Sequence, residues 1–355
     1  MRVPDPSSLR QPRRDGESGF ENPGFVSHRR YRSIAQRLLA SRAVARILRN
    51  LYRWTHSRAL RHNQVLWPLL RIERDGQGRL ARCAMRWGVT PVQTAFSSIR
   101  RPAGDVAHLI LSGPSVADIG YSELDLPAVM GVNGSIALRR SHPHLRFAYY
   151  AMLDAGFVSR RRDLVADVLA QDLLLFVTPE VLRWIAQLFS PGEIRCRITV
   201  FEEVHQRAYM PRARPEQLAR TLHGDLDLVL FDAHAPVHPL GFSLDPARGL
   251  FGGGTVAYSA LQLLVWLGFR TLYLHGLDLH GASISPRFYE SADARLPSAL
   301  DRQFDSHIAP AFRGASRLLG WRGLRIYNLS PDSALDESVF PKRHWTTLKR
   351  HALPS

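Results

Sequence analysis

The chain has 355 residues, 45% of them apolar and 22% charged, with two cysteines and a formal net charge of +16. That apolar content buries a large core and excludes a disordered polyelectrolyte, while no apolar run reaches the roughly 18 residues of a membrane-spanning helix. The charge is uneven: residues 1–101 hold 21 Arg and no Lys against 6 acidic residues, a net +15, whereas the other 254 carry 26 Lys and Arg against 25 Asp and Glu.

Residues 1–28 are rich in Pro, Gly and Ser and read as disordered. Their polar character does not fit a secretory signal, so Cys83 and Cys196 read as reduced thiols of a cytosolic protein. Residues 29–100 read as a basic amphipathic helical extension. From Arg30 to His62 the pattern is helical, with Val44, Ile47, Leu48, Leu51 and Trp54 on one face and Arg42, Arg46, Arg49 and Arg53 on the other. Such a helix suits an anionic membrane interface, and equally a surface helix docked on a domain with its arginines in solvent. No zinc-finger, helix-turn-helix or RNA-recognition signature points to nucleic acid.

Over 105–345 the pattern becomes that of an α/β domain: a Rossmann-like, mostly parallel sheet with helices on both faces. Apolar runs at 106–112, 128–135 and 146–153 each end in small or polar residues: Gly113-Pro114-Ser115, Asn133-Gly134-Ser135 and Asp154. In a parallel sheet those ends line one crevice. A fourth strand is expected at 172–178. Residues 190–250, with possible strands at 197–201 and 228–232, read as an inserted lid or acceptor-binding segment. His234 and His238 have the spacing of a helical metal pair, but Pro236 between them argues against a helix, and no metal site is expected.

Residues 250–281 carry the densest signal. Gly252, Gly253 and Gly254 precede Thr255, a candidate N-cap, and the apolar helix 256–267 ends at Gly268. Such a helix start suits an anion, because free N–H groups and the helix dipole point the same way. A strand at Thr271–His275 then delivers Asp278 and His280. A helix from Pro297 to Leu319 carries His307, and a last strand runs into Ser330-Pro331-Asp332-Ser333.

RFYE (287–290), Leu-Pro-Ser (296–298) and IYNLSPDSAL (326–335) closely resemble the Kdo-III transferases of lipopolysaccharide core biosynthesis, where Kdo is 3-deoxy-D-manno-oct-2-ulosonic acid. Matching pieces stand in the same order at SGPS (112–115), VNGS (132–135), LGFSLD (240–245) and GLDLHG (276–281). More distantly the pattern is similar to bacterial CMP-sialic acid-dependent sialyltransferases. The likeness covers about 105–345 and leaves 1–100 unexplained. It implies a glycosyltransferase moving Kdo, or a related 2-keto sugar acid, from a CMP donor to the lipopolysaccharide inner core by inverting displacement. It further implies donor contacts from Gly113–Ser115, Asn133–Ser135, Gly253–Thr255, Asp278 and Ser330–Ser333, with no tightly bound cofactor. His280 and Tyr289 stand where the sialyltransferases serve the leaving phosphate with two tyrosines, so the first tyrosine is replaced. His307 stands where they keep the base, and Asp154 is the rival. Each has a structural alternative: Asp154, Asp332 and Ser333 as caps, Asp278 as a loop holder. The expected location is cytoplasmic, peripheral on the inner face of the inner membrane, with the anionic glycolipid acceptor as partner. A nucleotide-dependent pyrophosphokinase-like enzyme and a non-catalytic assembly factor are the other readings.

Overall fold

The structure is a computed structural model and describes residues 42–280, 286–290 and 300–349. The expectations for 1–28, for the start of the first helix, for Gly281 and for 296–298 lie outside these residues. In chain order the regular elements begin with α1 (Arg42–Thr55), β1 (Leu70–Arg74), β2 (Leu80–Met85), β3 (Val106–Ile110), β4 (Val129–Val132) and β5 (Tyr149–Met152). They continue with α2 (Ala155–Arg160), α3 (Arg162–Leu169), β6 (Leu174–Val177), α4 (Pro179–Leu188), β7 (Arg197–Val200), α5 (Pro215–Thr221), β8 (Leu228–Asp232) and β9 (Leu240–Ser243). The last are α6 (Val256–Trp266), β10 (Thr271–His275), α7 (Leu300–Gln303), α8 (Ala309–Trp321) and β11 (Arg325–Asn328).

Seven strands form one parallel sheet in the order β11-β10-β3-β4-β5-β6-β7. The strands are short apolar runs buried on both faces, the composition that a sheet covered twice demands. Successive residues point to opposite sides: Leu174 and Phe176 enter the core beneath α6 and α8, whereas Leu175 and Val177 enter the core beneath α2, α3 and α4. Helices therefore cover both faces. α6 is apolar nearly all round and buried from Ala257 to Leu264. It starts at Thr255, whose Oγ1 accepts the N–H of Ala257 at 3.3 Å, and Gly268 follows it with φ +101°.

From β3 the chain progresses outward through β7, then returns to place β10 and β11 on the other side of β3. The sheet order thus reverses between β3 and β10, and ligands of open α/β sheets bind in the crevice beyond the strand ends at such a point.

The extension differs from the helical one expected over 29–100. After α1 come an irregular helical stretch and the antiparallel hairpin β1–β2. It is fused to the domain rather than appended. Arg74 donates to both carboxylate oxygens of buried Glu202 at 2.8 and 2.9 Å. Asn63 is fully buried and accepts the N–H of Tyr209, whose hydroxyl donates to the Leu70 carbonyl. α1 docks through Tyr52, which stacks on His56 and meets Trp67. That flank lies beside the predicted apolar face, so Ile47 (65% exposed), Leu51 (43%) and Trp54 (84%) stay in solvent.

Residues 190–250 split in two. β7 is an edge strand of the main sheet, and β8–β9 is a separate antiparallel hairpin whose Phe231 packs on Gly314 of α8. The expected single helix at 297–319 is α7, one π-helical turn at Phe304–Ile308, and α8. Extra turns of that kind re-aim side chains, and His307 sits in this one.

Candidate active site

The C-terminal ends of β3, β4, β5 and β10 open into one cleft. A cavity of about 70 Å³ lies at the switch point between Ser112–Pro114 and Gly276–His280. A larger one of about 380 Å³ adjoins it and is lined by Asn133, Asp154, Glu203, His238, Gly252–Thr255 and Gln303, among others. Ser112, Thr255 and Arg287 line both.

Some expected donor contacts face this cleft and others support it from behind. Asp278 is buried, and its carboxylate accepts both the N–H (2.9 Å) and the hydroxyl (2.5 Å) of Ser115. The Gly113 N–H donates to the Gly276 carbonyl at 3.2 Å. The amides expected to face an anion are thus spent on joining two turns, and Asp278 is the clamp between them. Ser330 and Ser333 belong to the same support. Ser330 shares a hydrogen bond with Ser115, and Ser333 donates to the Leu277 carbonyl. Pro331 and Asp332 are exposed, and His280 bonds the Asp332 carbonyl. None of these four turn residues lines the cleft.

Ser135 is likewise internal: its hydroxyl accepts the Val132 N–H and meets the Tyr150 hydroxyl. Tyr150 in turn donates to the Asn133 carbonyl at 2.7 Å, holding Asn133 at φ +44°. Gly134 is required by contact, since a Cβ there would stand 2.2 Å from the Tyr289 ring. Tyr289 therefore packs behind the turn, with Arg161 over its ring, and burial pushes its hydroxyl up to about 12. The Asn133 side chain has a buried Oδ1 without a partner among the described residues and lines the larger cavity.

The anion-binding capacity sits at the start of α6. No partner is recorded among the described residues for the N–H groups of Gly253, Gly254, Thr255 and Val256, the first donors of a helix whose dipole favours negative charge. Gly254 has φ +74°, and a Cβ there would meet Ile308 at 2.8 Å and His307 at 3.2 Å. Arg287, held by Glu290 at 2.7 Å, brings a guanidinium to the lining of both cavities.

The candidate bases differ in setting. Asp154 lines the cleft but is 55% exposed, caps α2 by accepting the Gly156 N–H at 2.7 Å and lies 3.8 Å from Arg160. His307 is fully buried directly behind Gly254. Its Nε2 donates to the Gly252 carbonyl at 3.1 Å, which leaves Nδ1 as an acceptor without a partner among the described residues. His238, on the cleft wall, meets the His307 ring edge-on at 5.7 Å, and buried His205 meets His238 at 4.8 Å. Burial holds all three imidazoles below the ordinary 6.5, His238 at about 4 and His205 at about 3. Glu203 lies 3.7 Å from His205, and burial pushes its carboxyl up.

Ser112, Glu203, His238, Arg287 and Gln303 were absent from the expected site. Arg287 had a signal, being the first residue of the RFYE motif. His238 had been weighed only as a metal ligand with His234, which is exposed and apart from the cleft. Among the described residues no group of three metal-ligating side chains has the geometry to hold an ion.

Residues 228–344 match the family model described as 3-deoxy-D-manno-octulosonic acid transferase WaaZ. Over 246 residues the chain is 26% identical to a probable 3-deoxy-manno-octulosonic acid transferase of Escherichia coli strain K12, covering 68% of this chain and 84% of the relative. A protein of the same description from Salmonella typhimurium strain LT2 is 25% identical, over 66% and 84%. Among solved structures, the monofunctional α-2,3-sialyltransferase Cst-I of Campylobacter jejuni aligns with a TM-score of 0.38 at 13% identity, over 71% of this chain and 85% of that one. The family resemblance first carried by short motifs therefore extends over about two thirds of the chain.

Proposed function

We propose that this chain is a glycosyltransferase of lipopolysaccharide core assembly that moves Kdo, or a related 2-keto sugar acid, from a CMP donor by inverting displacement. The observation that carries the donor assignment is the switch-point cleft lined both by Arg287, which Glu290 holds in place, and by residues 253–256, whose N–H groups have no partner among the described residues. A CMP-sugar presents one phosphate and one carboxylate, and this set of donors suits both. As the glycosidic bond breaks, charge grows on the leaving phosphate, so donors fixed there stabilise the transition state more than the ground state. In this reading the base is His307, which stands buried behind Gly254 and lines neither cavity, so the attacking hydroxyl must reach it past that turn, with Asp154 acting as cap. No tightly bound cofactor is required by this reading.

Thermal unfolding with CMP, CDP, UDP, ADP and ATP, each with and without Mg²⁺, tests it. CMP at 100 times its dissociation constant is expected to add about 2.7 kcal/mol, and a Thr255→Trp variant should lose that response. A response to ATP with Mg²⁺ alone would replace this reading with the pyrophosphokinase-like one. Binding without turnover of any keto-acid donor would favour the non-catalytic factor.

The acceptor in this reading is an anionic glycolipid at the cytoplasmic face of the inner membrane. Support comes from α1, where exposed Ile47, Leu51 and Trp54 adjoin Arg46 and Arg53. The protein is expected to float with anionic vesicles at low salt, and Leu51→Glu with Trp54→Glu should abolish flotation. Unchanged partition of the double variant would remove the membrane assignment.

A further inference from the structure

The cleft does not end at Asp154 and Glu203. Leu153 and Glu203 also wall a second cavity of about 180 Å³, to whose lining His62, Asn63 and Val65 of the extension contribute. Val65 and Glu180 in turn wall a third cavity of about 260 Å³ beneath α1, lined by Leu48, Arg49, Trp67, Arg183 and Trp184 among others. Three adjoining spaces thus lead from the candidate reaction centre to the underside of the basic helix.

Their chemistry changes along the way. The middle cavity is lined by hydrogen-bonding groups, including Thr178, Glu180, Glu203 and Gln206. Its carboxyl groups accept from hydroxyls, and Glu180 also borders the third cavity beside Arg183. The third cavity is mostly apolar but carries two guanidinium groups. Arg183 is only 9% exposed, donates from Nη1 to Gln187 at 2.9 Å, lies 4.5 Å over the Trp184 ring and has a buried Nε without a partner among the described residues. A desolvated guanidinium with an unused donor is an anion-binding element.

We infer that these cavities form the acceptor groove, taking an oligosaccharide whose neutral, hydroxyl-rich part fills the middle space and whose acidic group meets Arg49 and Arg183 under α1. This deepens the proposed function and rests on it for the direction of the chain, with the attacking hydroxyl at the cleft end. It also gives the extension a role in recognition, because His62, Val65 and Arg49 all belong to it.

The test uses the full chain and a lipid-free, phosphorylated inner-core oligosaccharide, with its phosphatase-treated form as the second probe. Binding is measured by calorimetry and donor binding by the CMP thermal shift. The wild type should bind the phosphorylated form at least tenfold more tightly. Arg49→Glu, at an exposed position, should erase that preference and leave the dephosphorylated form bound as before. Val65→Trp should weaken both probes at least tenfold with the CMP shift intact. Wild-type affinities for both probes in both variants would overturn the groove. A wild type without a CMP shift but with this oligosaccharide pattern would overturn the donor assignment and uphold the groove.

Discussion

Replacing His307 with alanine is expected to lower kcat by 10²–10⁴-fold while the CMP thermal shift is retained, the range typical of a lost general base. The expectation rests on tautomer and charge. The Gly252 carbonyl fixes the proton on Nε2, so Nδ1 has a lone pair, and burial keeps the ring neutral. The rate should therefore hold through neutral pH and through the ordinary imidazole range near 6.5, falling only at lower pH, because burial lowers the pKa of His307. Asp154→Asn should cost less than tenfold in kcat, with a loss of about 0.5–2 kcal/mol at most from the α2 cap. A background rate in Asp154→Asn with an active His307→Ala would reverse the assignment. A greater loss in His238→Ala than in His307→Ala would move the base to the cleft wall.

The second large effect is on stability, and it comes from histidines buried uncharged. His108 and His275 share a 2.9 Å hydrogen bond inside the sheet, between the rings of Tyr273 and Tyr121. Burial lowers His108 to about 4 and His275 well below its ordinary value, and His205 stands at about 3. Below pH 6.5 the unfolded chain binds protons at these sites and the folded chain does not, so stability falls as pH falls. It is fully present above 6.5 and is lost toward 4. Each such group costs about 1.4 kcal/mol per pH unit, so these three and His238, which burial also holds at about 4, together cost roughly 5 kcal/mol per unit in that window. Against a total of about 5–15 kcal/mol, unfolding is expected near pH 5. The urea midpoint measured from pH 7.5 to 4.5 checks this, and His205→Phe should reduce the slope by about a quarter. A midpoint independent of pH down to 5 would show that these rings are not buried neutral.

The strands and the 250–281 unit were legible because their signals are local. Thr271–His275 is a β-rich run closed by Gly276, and α6 is framed by Thr255 and Gly268, residue types that backbone geometry demands at those places. The Gly-Pro-Ser and Asn-Gly-Ser turns were likewise visible as strand ends. What those turns do was not visible. Asp278 and Ser115 are 163 residues apart, and only the parallel pairing of β3 with β10 brings them to 2.9 Å. The amides that looked open to an anion were thereby occupied by a carboxylate from a distant turn.

The same reason separates the remaining cases. Periodicity showed that α1 has an apolar and a basic side. It did not show that Tyr52 between them makes the contact, because docking depends on the surface offered by Trp67. His238 is one histidine in an irregular stretch, and it becomes notable only when the β8–β9 hairpin sets it against His205 and His307. By itself the sequence determined the fold class, the strand ends, the anion-ready start of α6 and the family resemblance, since each is written in neighbouring residues. Only the tertiary structure decided which polar groups face the cleft, which ones clamp it and where the extension packs on the domain. Those assignments depend on pairings between distant segments, and a buried polar group takes whichever partner the packing brings within reach.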